Sequence, residues 1–183
     1  MRIDFCQQAF NGSMTRRRVM AGAILSASLM AHAQVGGTGN RRTWPADKPT
    51  PDLFLKDTQG KDWSLRELKG HPVLINFWAS WCEPCLSEMP SLELAAQRFE
   101  QDGLVVLAVN FRETDAALNR FMNQYPLSLP VLRDRDGAAA RAWGVRMFPT
   151  TVLVNRLGQA KTLVHGEVDW TGATAKSWIA ELT

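Results

Sequence analysis

The sequence predicts an α/β fold, with a central mixed sheet flanked by helices and an N-terminal β-hairpin extension. Residues 73–77, which are apolar except for Asn76, predict a buried strand, and the continuous apolar run 104–109 is typical of a strand that is covered on both faces. Each run is followed by a segment of helical periodicity, and strands that alternate with helices are typical of an α/β sheet. Two turn sequences, Thr58-Gln59-Gly60-Lys61 and Asn155-Arg156-Leu157-Gly158, lie between short strand-like runs and predict hairpins.

Residues 1–33 have the three parts of a bacterial export signal. A basic segment at Arg16-Arg17-Arg18 precedes an apolar stretch at 19–30, and Ala31-His32-Ala33 is a small-x-small cleavage site. The apolar stretch is shorter than the ~20 residues of a comfortable membrane span. We therefore expect a cleaved signal peptide, of the twin-arginine kind, and a periplasmic protein. An uncleaved membrane tether is the alternative, and Met14 is an alternative start to Met1.

The net charge of +3 belongs to this leader rather than to the rest of the chain. The chain has 21 basic and 18 acidic residues, and four arginines against one aspartate fall within residues 1–33. The remainder is balanced, so composition does not favour a nucleic-acid partner. The three cysteines are Cys6 in the leader, Cys82 and Cys85. A cleaved chain would keep only the last two, so its fold must depend on packing rather than on a disulfide framework.

Residues 34–50 are rich in Gly, Arg, Thr and Pro and predict a flexible linker, which places the folded domain at 51–183. The elements within that domain are predicted from apolar periodicity, capping residues and glycine stops. In chain order they are strands 53–55 and 62–64, a turn at 65–69, strand 73–78, helix 84–100 with a kink at Pro90, strand 104–109, helix 115–123 capped by Thr114, strand 129–132, helix 137–143, strands 150–154 and 160–164, and helix 171–182. The last two strands are expected to form an antiparallel hairpin at the edge of the sheet.

Two cysteines lie where strand 73–78 meets the next helix, in the sequence Cys82-Glu83-Pro84-Cys85. Residues three apart on a helix share a face, with Cβ atoms roughly 5–6 Å apart, which is close enough for a disulfide. Cys82 falls at the helix N-terminus, where unpaired N–H groups and the helix dipole stabilise a thiolate. Pro84 suits the first turn, because its missing N–H leaves no helical hydrogen bond unmade. The pattern predicts a dithiol that opens and closes.

Other uses of a Cys-x-x-Cys pair fit this chain less well. A structural zinc site needs two further ligands, usually a second such pair or two histidines, and neither follows. Covalent haem attachment needs a histidine directly after the second cysteine, where this chain has Leu86. A purely structural bridge is a further alternative, although closing so short a loop stabilises little. We expect neither a metal nor another cofactor.

Two motifs together resemble the thioredoxin fold. Trp81-Cys82-Glu83-Pro84-Cys85 is similar to the active-site motif of that fold, and Phe148-Pro149-Thr150 is similar to its cis-proline loop. Within the superfamily, the chain resembles the exported, single-domain reductases of the TlpA, ResA and CcmG group. The similar stretches are the hairpin that opens at Phe54, the run from Asn76 to Cys82, and residues 109–113, where the group carries an acidic residue that faces the cysteines.

The resemblance implies a protein-disulfide reductase and a role for each catalytic residue. Cys82 is the nucleophile, and Cys85 resolves the mixed disulfide that Cys82 forms with the substrate. Glu113 is expected to exchange a proton with Cys85. Pro149, in the cis form, is expected to place backbone groups of its loop where they align an extended substrate.

The residues around the cysteines are expected to tune the pair or to bind substrate. Glu83, a negative neighbour, opposes thiolate formation and shifts the pair toward reducing character, and Pro84 is placed with it as a tuning residue. Trp81, Phe148 and Thr150 are expected to form the docking surface for a substrate.

The sequence departs from the thioredoxin pattern at two places. Cytoplasmic thioredoxins typically hold a buried aspartate where this chain has Asn76, so the proton relay of that aspartate is absent or moved to Glu113. The residues before Pro149 are Met147 and Phe148, which are bulkier than the small residue often found in that loop. This second departure bears on the range of substrates.

The expected partners are a disulfide-containing protein, with apocytochrome c as a candidate, and a membrane thiol that donates electrons. We expect a monomer. An oxidase that inserts disulfides is an alternative that Glu83 disfavours, and a peroxidase lacks support because the Pro and Thr that usually precede a peroxidatic cysteine are missing before Cys82. A copper-delivery protein is a third alternative, with His165 as a ligand beside the cysteines. Such proteins, however, usually have three residues between their cysteines, whereas this chain has two.

Overall fold

The computed structural model describes residues 39–182, and the predicted leader 1–33 lies outside that range. The described residues form eight strands and four helices. The strands are β1 Asn40–Thr43, β2 Phe54–Lys56, β3 Asp62–Ser64, β4 Val73–Trp78, β5 Val105–Phe111, β6 Val131–Asp134, β7 Thr150–Val154 and β8 Ala160–His165. The helices are α1 Glu83–Arg98, α2 Asp115–Gln124, α3 Ala138–Ala142 and α4 Ala173–Ala180.

Six of the strands form one mixed sheet in the order β1-β8-β7-β4-β5-β6. β4 pairs in parallel with β5, and β5 pairs in parallel with β6. β7 runs antiparallel to β4, and β8 and β1 continue the antiparallel half. The predicted central mixed sheet is therefore confirmed.

The predicted N-terminal hairpin is also present, as the separate two-stranded sheet of β2 and β3. Its turn is organised by Asp57, whose carboxylate accepts hydrogen bonds from the backbone N–H of Gln59 and Lys61 and from the indole of Trp63, all at 2.9 Å. A backbone bond of 3.0 Å from Thr58 N–H to the Val131 carbonyl joins the hairpin to β6 at the edge of the main sheet.

Hydrophobic clusters cover both faces of the main sheet, and the alternation along β4 assigns its side chains to them. Leu74 belongs to the cluster that also contains residues of α1 and α4, whereas Ile75 and Phe77 belong to the cluster that contains Trp143. All six residues of β4 are buried. This agrees with the predicted buried strand, because a central strand has no solvated face.

The expected linker at 34–50 is wrong in its second half, because Asn40–Thr43 forms a strand that pairs antiparallel with β8. The next residue, Trp44, is buried, and its ring meets that of Trp143 edge-on at 5.7 Å between centroids. All four residues of β1 are exposed, so the strand shows no apolar alternation that could have predicted it. The ordered part of the domain thus begins before residue 51, and β1, not the β7–β8 hairpin, forms this edge of the sheet.

Charged contacts attach β1 to the last helix. Arg41 forms an ion pair with Glu181, and its guanidinium lies 5.4 Å from the centroid of the Trp178 ring. Polar composition therefore marked an edge strand here rather than a linker, since edge strands commonly carry charged side chains. Within residues 39–182, we find no helix that combines the length and hydrophobicity needed to cross a bilayer.

Candidate active site

The two cysteines are joined by a disulfide at the junction of β4 and α1, with Cα atoms 5.3 Å apart. Cys82 is the N-cap of α1, and its carbonyl accepts hydrogen bonds from the backbone N–H of Cys85 at 3.0 Å and of Leu86 at 3.1 Å. Pro84 is the second residue of the helix, within the first turn as predicted. The helix thus begins immediately after the first sulfur and carries the second sulfur one turn later.

Both cysteines are buried, but not to the same extent. Cys82 is 6% exposed, whereas Cys85 is 0% exposed and packs within the hydrophobic cluster of α1. Glu83 and Pro84, between them, are exposed. Cys82 is therefore the more accessible of the two cysteines to an incoming disulfide, and Cys85 is the more shielded.

Aromatic side chains form an apolar surface beside the cysteines. Trp81 is 66% exposed, and its ring meets that of Phe148 edge-on at 5.9 Å between centroids. Phe148 in turn lies 4.8 Å from Phe111, and Met147 next to it is 55% exposed. We call Trp81, Phe111, Met147 and Phe148 the apolar rim.

The peptide bond between Phe148 and Pro149 is cis, as the sequence predicted. The Pro149 carbonyl accepts a hydrogen bond of 2.9 Å from the Gly166 N–H. Thr150 is fully buried, and its hydroxyl lies 2.8 Å from the Met147 carbonyl and 2.9 Å from Nδ1 of His165. The Thr150 side chain therefore holds the loop from inside, and it does not face solvent as a docking residue would.

Glu113 contacts Ser80, two residues before Cys82, although the two residues are 33 positions apart in the sequence. Its carboxylate accepts hydrogen bonds from the Ser80 N–H at 2.8 Å, the Ser80 hydroxyl at 2.5 Å and the Asn110 amide at 2.6 Å. The parallel pairing of β4 with β5 brings these groups together, because Trp78 and Asn110 are register partners near the ends of the two strands. Glu113 thus braces the segment that leads into Cys82.

A second carboxyl, Glu88, lies deep in the same region and was missed in the sequence. It is 1% exposed and accepts hydrogen bonds from the Asn76 amide at 2.6 Å and the Val168 N–H at 3.0 Å. Burial raises the pKa of Glu88 to about 8, although both hydrogen bonds act in the opposite direction. Glu88 follows Cys85 by three positions on α1, so the two side chains share a helix face. That same spacing, on the stripe that contains Cys85, Met89 and Leu92, could have identified it.

Asn76 links Glu88 to the sheet. Its amide nitrogen also lies 2.9 Å from the Thr151 hydroxyl, and its Oδ1 has no hydrogen-bond partner among the described residues. An amide can donate to an ionised carboxylate or, once turned over, accept from a protonated one. The loss of the aspartate at position 76 therefore does not leave the site without a buried acid, because Glu88 supplies one from the helix.

The two histidines in the described part of the chain do not gather with other potential metal ligands. Nδ1 of His71 lies 2.9 Å from the Gly103 carbonyl, and Nδ1 of His165 contacts Thr150. Residues 39–182 contain no cluster of three or more His, Cys, Asp or Glu side chains suited to hold a metal ion.

The family of the chain follows from comparison with known proteins. The model of the AhpC/TSA family matches residues 46–162, which is more than half of the chain. The chain belongs to the AhpC/TSA family.

Similarity to individual proteins narrows the class of this AhpC/TSA-family chain further. The chain is 32% identical over 150 residues to the thiol-disulfide oxidoreductase ResA of Bacillus thuringiensis (strain Al Hakam), which covers 82% of this chain and 87% of that relative. A Chlorobium tepidum structure assigned as a thiol:disulfide interchange protein DsbE is similar with a TM-score of 0.68 and 27% identity, covering 74% of this chain and 95% of the other. The exposed lipoprotein thioredoxin Etrx1 of Streptococcus pneumoniae is also similar, with a TM-score of 0.65 and 29% identity. The match covers 72% of this chain and 100% of the other. The predicted thioredoxin-like fold, the resemblance to the ResA group and the class of thiol-disulfide oxidoreductase are thereby confirmed.

We predict that Glu88 makes the stability of the protein fall as pH rises. Its pKa is raised from the ordinary value of 4.5 to about 8, so between these values the folded chain keeps a proton that the unfolded chain has released. The free energy of unfolding should decrease across this window, by about 5 kcal/mol at most. Glu88→Gln should flatten this dependence, measured by urea unfolding at several pH values with the disulfide intact.

The matched control is Glu100→Gln, which changes an exposed carboxyl just beyond the end of the same helix. It should keep the pH dependence of the wild type. Equal slopes for wild type and Glu88→Gln between pH 5 and 8 would contradict the prediction, because the carboxyl would then titrate normally in the fold.

Proposed function

We propose that this protein is a periplasmic reductase that transfers two electrons from the Cys82–Cys85 dithiol to disulfides of other proteins. The observation that carries the proposal is the asymmetry of the pair. Cys82, the more accessible of the two at 6% exposed, lies at a helix N-terminus, and Cys85, at 0% exposed, lies one turn along on the same helix face as a buried carboxyl. A dithiol reductase needs this division between a sulfur that attacks a partner and a sulfur that waits for the second step.

The chemistry proceeds by two thiol-disulfide exchanges. The Cys82 thiolate attacks one sulfur of the substrate disulfide, a bond forms between the two sulfurs, and the other substrate sulfur leaves as a thiolate. Cys85 then loses its proton and attacks the Cys82 sulfur, which releases the second substrate thiolate. The substrate gains two electrons, and the Cys82–Cys85 disulfide is formed. A thiol donor must reduce that disulfide before the next cycle.

Local charge supports the first step and its direction. The N-terminus of α1 offers unpaired N–H groups and a partial positive charge to the Cys82 thiolate. Glu83 is the acidic residue of the first turn, and a negative neighbour disfavours the thiolate. A dithiol whose thiolate is less stabilised is a stronger reductant, so Glu83 and Pro84 are proposed to tune the pair toward reduction.

The second step needs a group that takes the Cys85 proton. We propose the ionised form of Glu88 for this role, because Glu88 shares the helix face of Cys85 and its pKa of about 8 lies close to that of a thiol and leaves a fraction of the carboxyl ionised near neutral pH. Glu113 is the alternative that the sequence suggested. Its carboxylate is already occupied by three donors from Ser80 and Asn110, which favours a role in positioning the turn.

The docking surface is proposed to be the apolar rim together with backbone groups beside Pro149. Trp81 and Phe148 present exposed or half-buried rings next to Cys82, which suits an apolar segment that flanks a substrate cysteine. The substrate is proposed to be an exported protein with a disulfide, for which apocytochrome c is a candidate. The electron donor is proposed to be a membrane thiol, and the protein is proposed to act as a monomer.

Export rests on residues 1–33, whose basic, apolar and small-residue segments favour a cleaved signal peptide. N-terminal sequencing of the mature protein should then give Gln34 first. A chain recovered from the periplasm with the leader intact would instead indicate a membrane tether, and a full-length chain in the cytoplasm would contradict export.

We predict that Cys85→Ala traps a mixed disulfide with the substrate, because the variant can attack but cannot resolve. Cys82→Ala should trap none, since its remaining sulfur is buried. The measurement is non-reducing gel electrophoresis after incubation with a peptide that is closed by one disulfide. Equal trapping by both variants would contradict the assigned order of the two sulfurs.

The same purified protein distinguishes a reductase from an oxidase. Equilibration with glutathione should give a reduction potential nearer the thioredoxin value of about −270 mV than the DsbA value of about −120 mV. A potential above roughly −180 mV would overturn the proposed direction and favour disulfide insertion.

We predict that Glu88→Gln slows resolution of the mixed disulfide by about a hundred-fold, the lower end of the range for general base catalysis. Single-turnover reduction of the peptide disulfide measures the rate, and a pH titration of thiolate absorbance follows the cysteines. Glu113→Gln should have a smaller effect on the rate of resolution and on the titration curve, and Glu100→Gln should have no effect on either. If Glu113→Gln alone slows resolution, Glu113 is the proton carrier and the role proposed for Glu88 is wrong.

A further inference from the structure

The loop that contains Pro149 is held from the end of β8 by a chain of two hydrogen bonds. Nδ1 of His165 lies 2.9 Å from the hydroxyl oxygen of Thr150, and that oxygen lies 2.8 Å from the Met147 carbonyl. Thr150 and His165 are direct register partners in the antiparallel pair of β7 and β8. These two hydrogen bonds therefore connect the neighbouring strand, through a buried hydroxyl, to the Met147 carbonyl in the loop.

The direction of each bond is set by the single hydroxyl hydrogen of Thr150. A carbonyl only accepts, so the Thr150 hydroxyl donates to Met147, and its oxygen must accept from His165. Nδ1 of His165 therefore carries a hydrogen. Partial burial and the nearby charge of Arg42 lower the pKa of His165, which favours the neutral ring at neutral pH. Nδ1–H is present in this tautomer and in the protonated ring alike.

The loop has one other described anchor to the same end of β8. Gly166, next to His165, donates its backbone N–H to the Pro149 carbonyl at 2.9 Å. This backbone bond sets the position of Pro149, whereas the side-chain bonds set the position of the Met147 carbonyl. Met147 and Phe148 belong to the apolar rim, so the His165 chain acts on the part of the loop that faces a partner.

We propose that His165 is a positioning residue for substrate docking, and that through Thr150 it holds Met147 and Phe148 of the apolar rim in the geometry that receives an extended segment of the substrate. The inference rests on the proposed reductase function. His165 does not touch the reacting sulfurs in this role. Its effect is on the affinity for a polypeptide disulfide more than on the rate of exchange.

The test compares His165→Leu with His165→Asn, two side chains of similar size that differ in the ability to donate. The Asn amide nitrogen can take the place of Nδ1, whereas Leu cannot donate. With the disulfide-closed peptide as probe, His165→Leu should raise KM by roughly three- to ten-fold, the loss expected for one hydrogen bond. The value of kcat should change less than KM, and His165→Asn should recover most of the loss.

Lys161→Leu is the matched control, because it adds the same side chain at an exposed position on the same strand. It should keep the KM of the wild type. If His165→Leu does not fold, as judged by thermal unfolding, Thr150→Val replaces it, since valine keeps the shape of threonine without the hydroxyl. Thr150→Val should raise KM to the same extent. Where His165→Leu does fold, combining it with Thr150→Val should add little further, because both changes break the same two linked hydrogen bonds.

Each outcome decides the proposal. A wild-type KM in both His165→Leu and Thr150→Val, or a KM for His165→Asn as high as that for His165→Leu, would overturn it. A wild-type protein that does not reduce the peptide at all would instead contradict the proposed function itself.

Discussion

The active site depends on the position of β4 at the centre of the sheet. β4 pairs in parallel with β5 and antiparallel with β7, so the C-terminal ends of β4 and β5 and the N-terminal end of β7 meet at one edge. The end of β4 leads into the cysteine turn, and the end of β5 leads into the loop of Glu113. The start of β7 directly follows the cis-proline loop. Residues that are far apart in the sequence therefore surround one disulfide because of strand direction alone.

Glu88 is a carboxyl that the fold buries on the same helix face as Cys85. Placing a carboxyl in an apolar interior disfavours its charged form, and the protein limits the cost by keeping a proton on it and by providing the Asn76 amide and the Val168 N–H. A group with a pKa near the working pH exchanges protons readily. In the proposed mechanism, the same burial connects the stability of the domain to the reaction of its cysteine pair.

The surface around Cys82 is partly exposed, and ring contacts and hydrogen bonds hold it from behind. Trp81 and Met147 are largely exposed, yet the rings of Phe148 and Phe111 pack behind them, and Thr150 and Gly166 N–H bind the loop from within. An apolar surface that is ordered before a partner arrives loses little conformational entropy on binding. The residues of the loop accordingly divide into those that face a partner and those that hold the loop in place.

The sequence alone determined the class of fold and the cysteine pair at a helix N-terminus, because apolar runs and the spacing of two cysteines depend on neighbours in the chain. The cis-proline loop followed from the resemblance of its motif to that of the thioredoxin fold. Prediction from the sequence failed at β1, whose exposed residues have no periodicity and whose pairing depends on β8. It also missed Glu88 and the inward hydroxyl of Thr150. Whether a polar side chain faces water or the interior depends on what packs over it, and here the covering residues, Val168 and His165, lie 80 and 15 positions away. Only the tertiary structure brings such groups together, so it alone decided which polar residues are buried at the site.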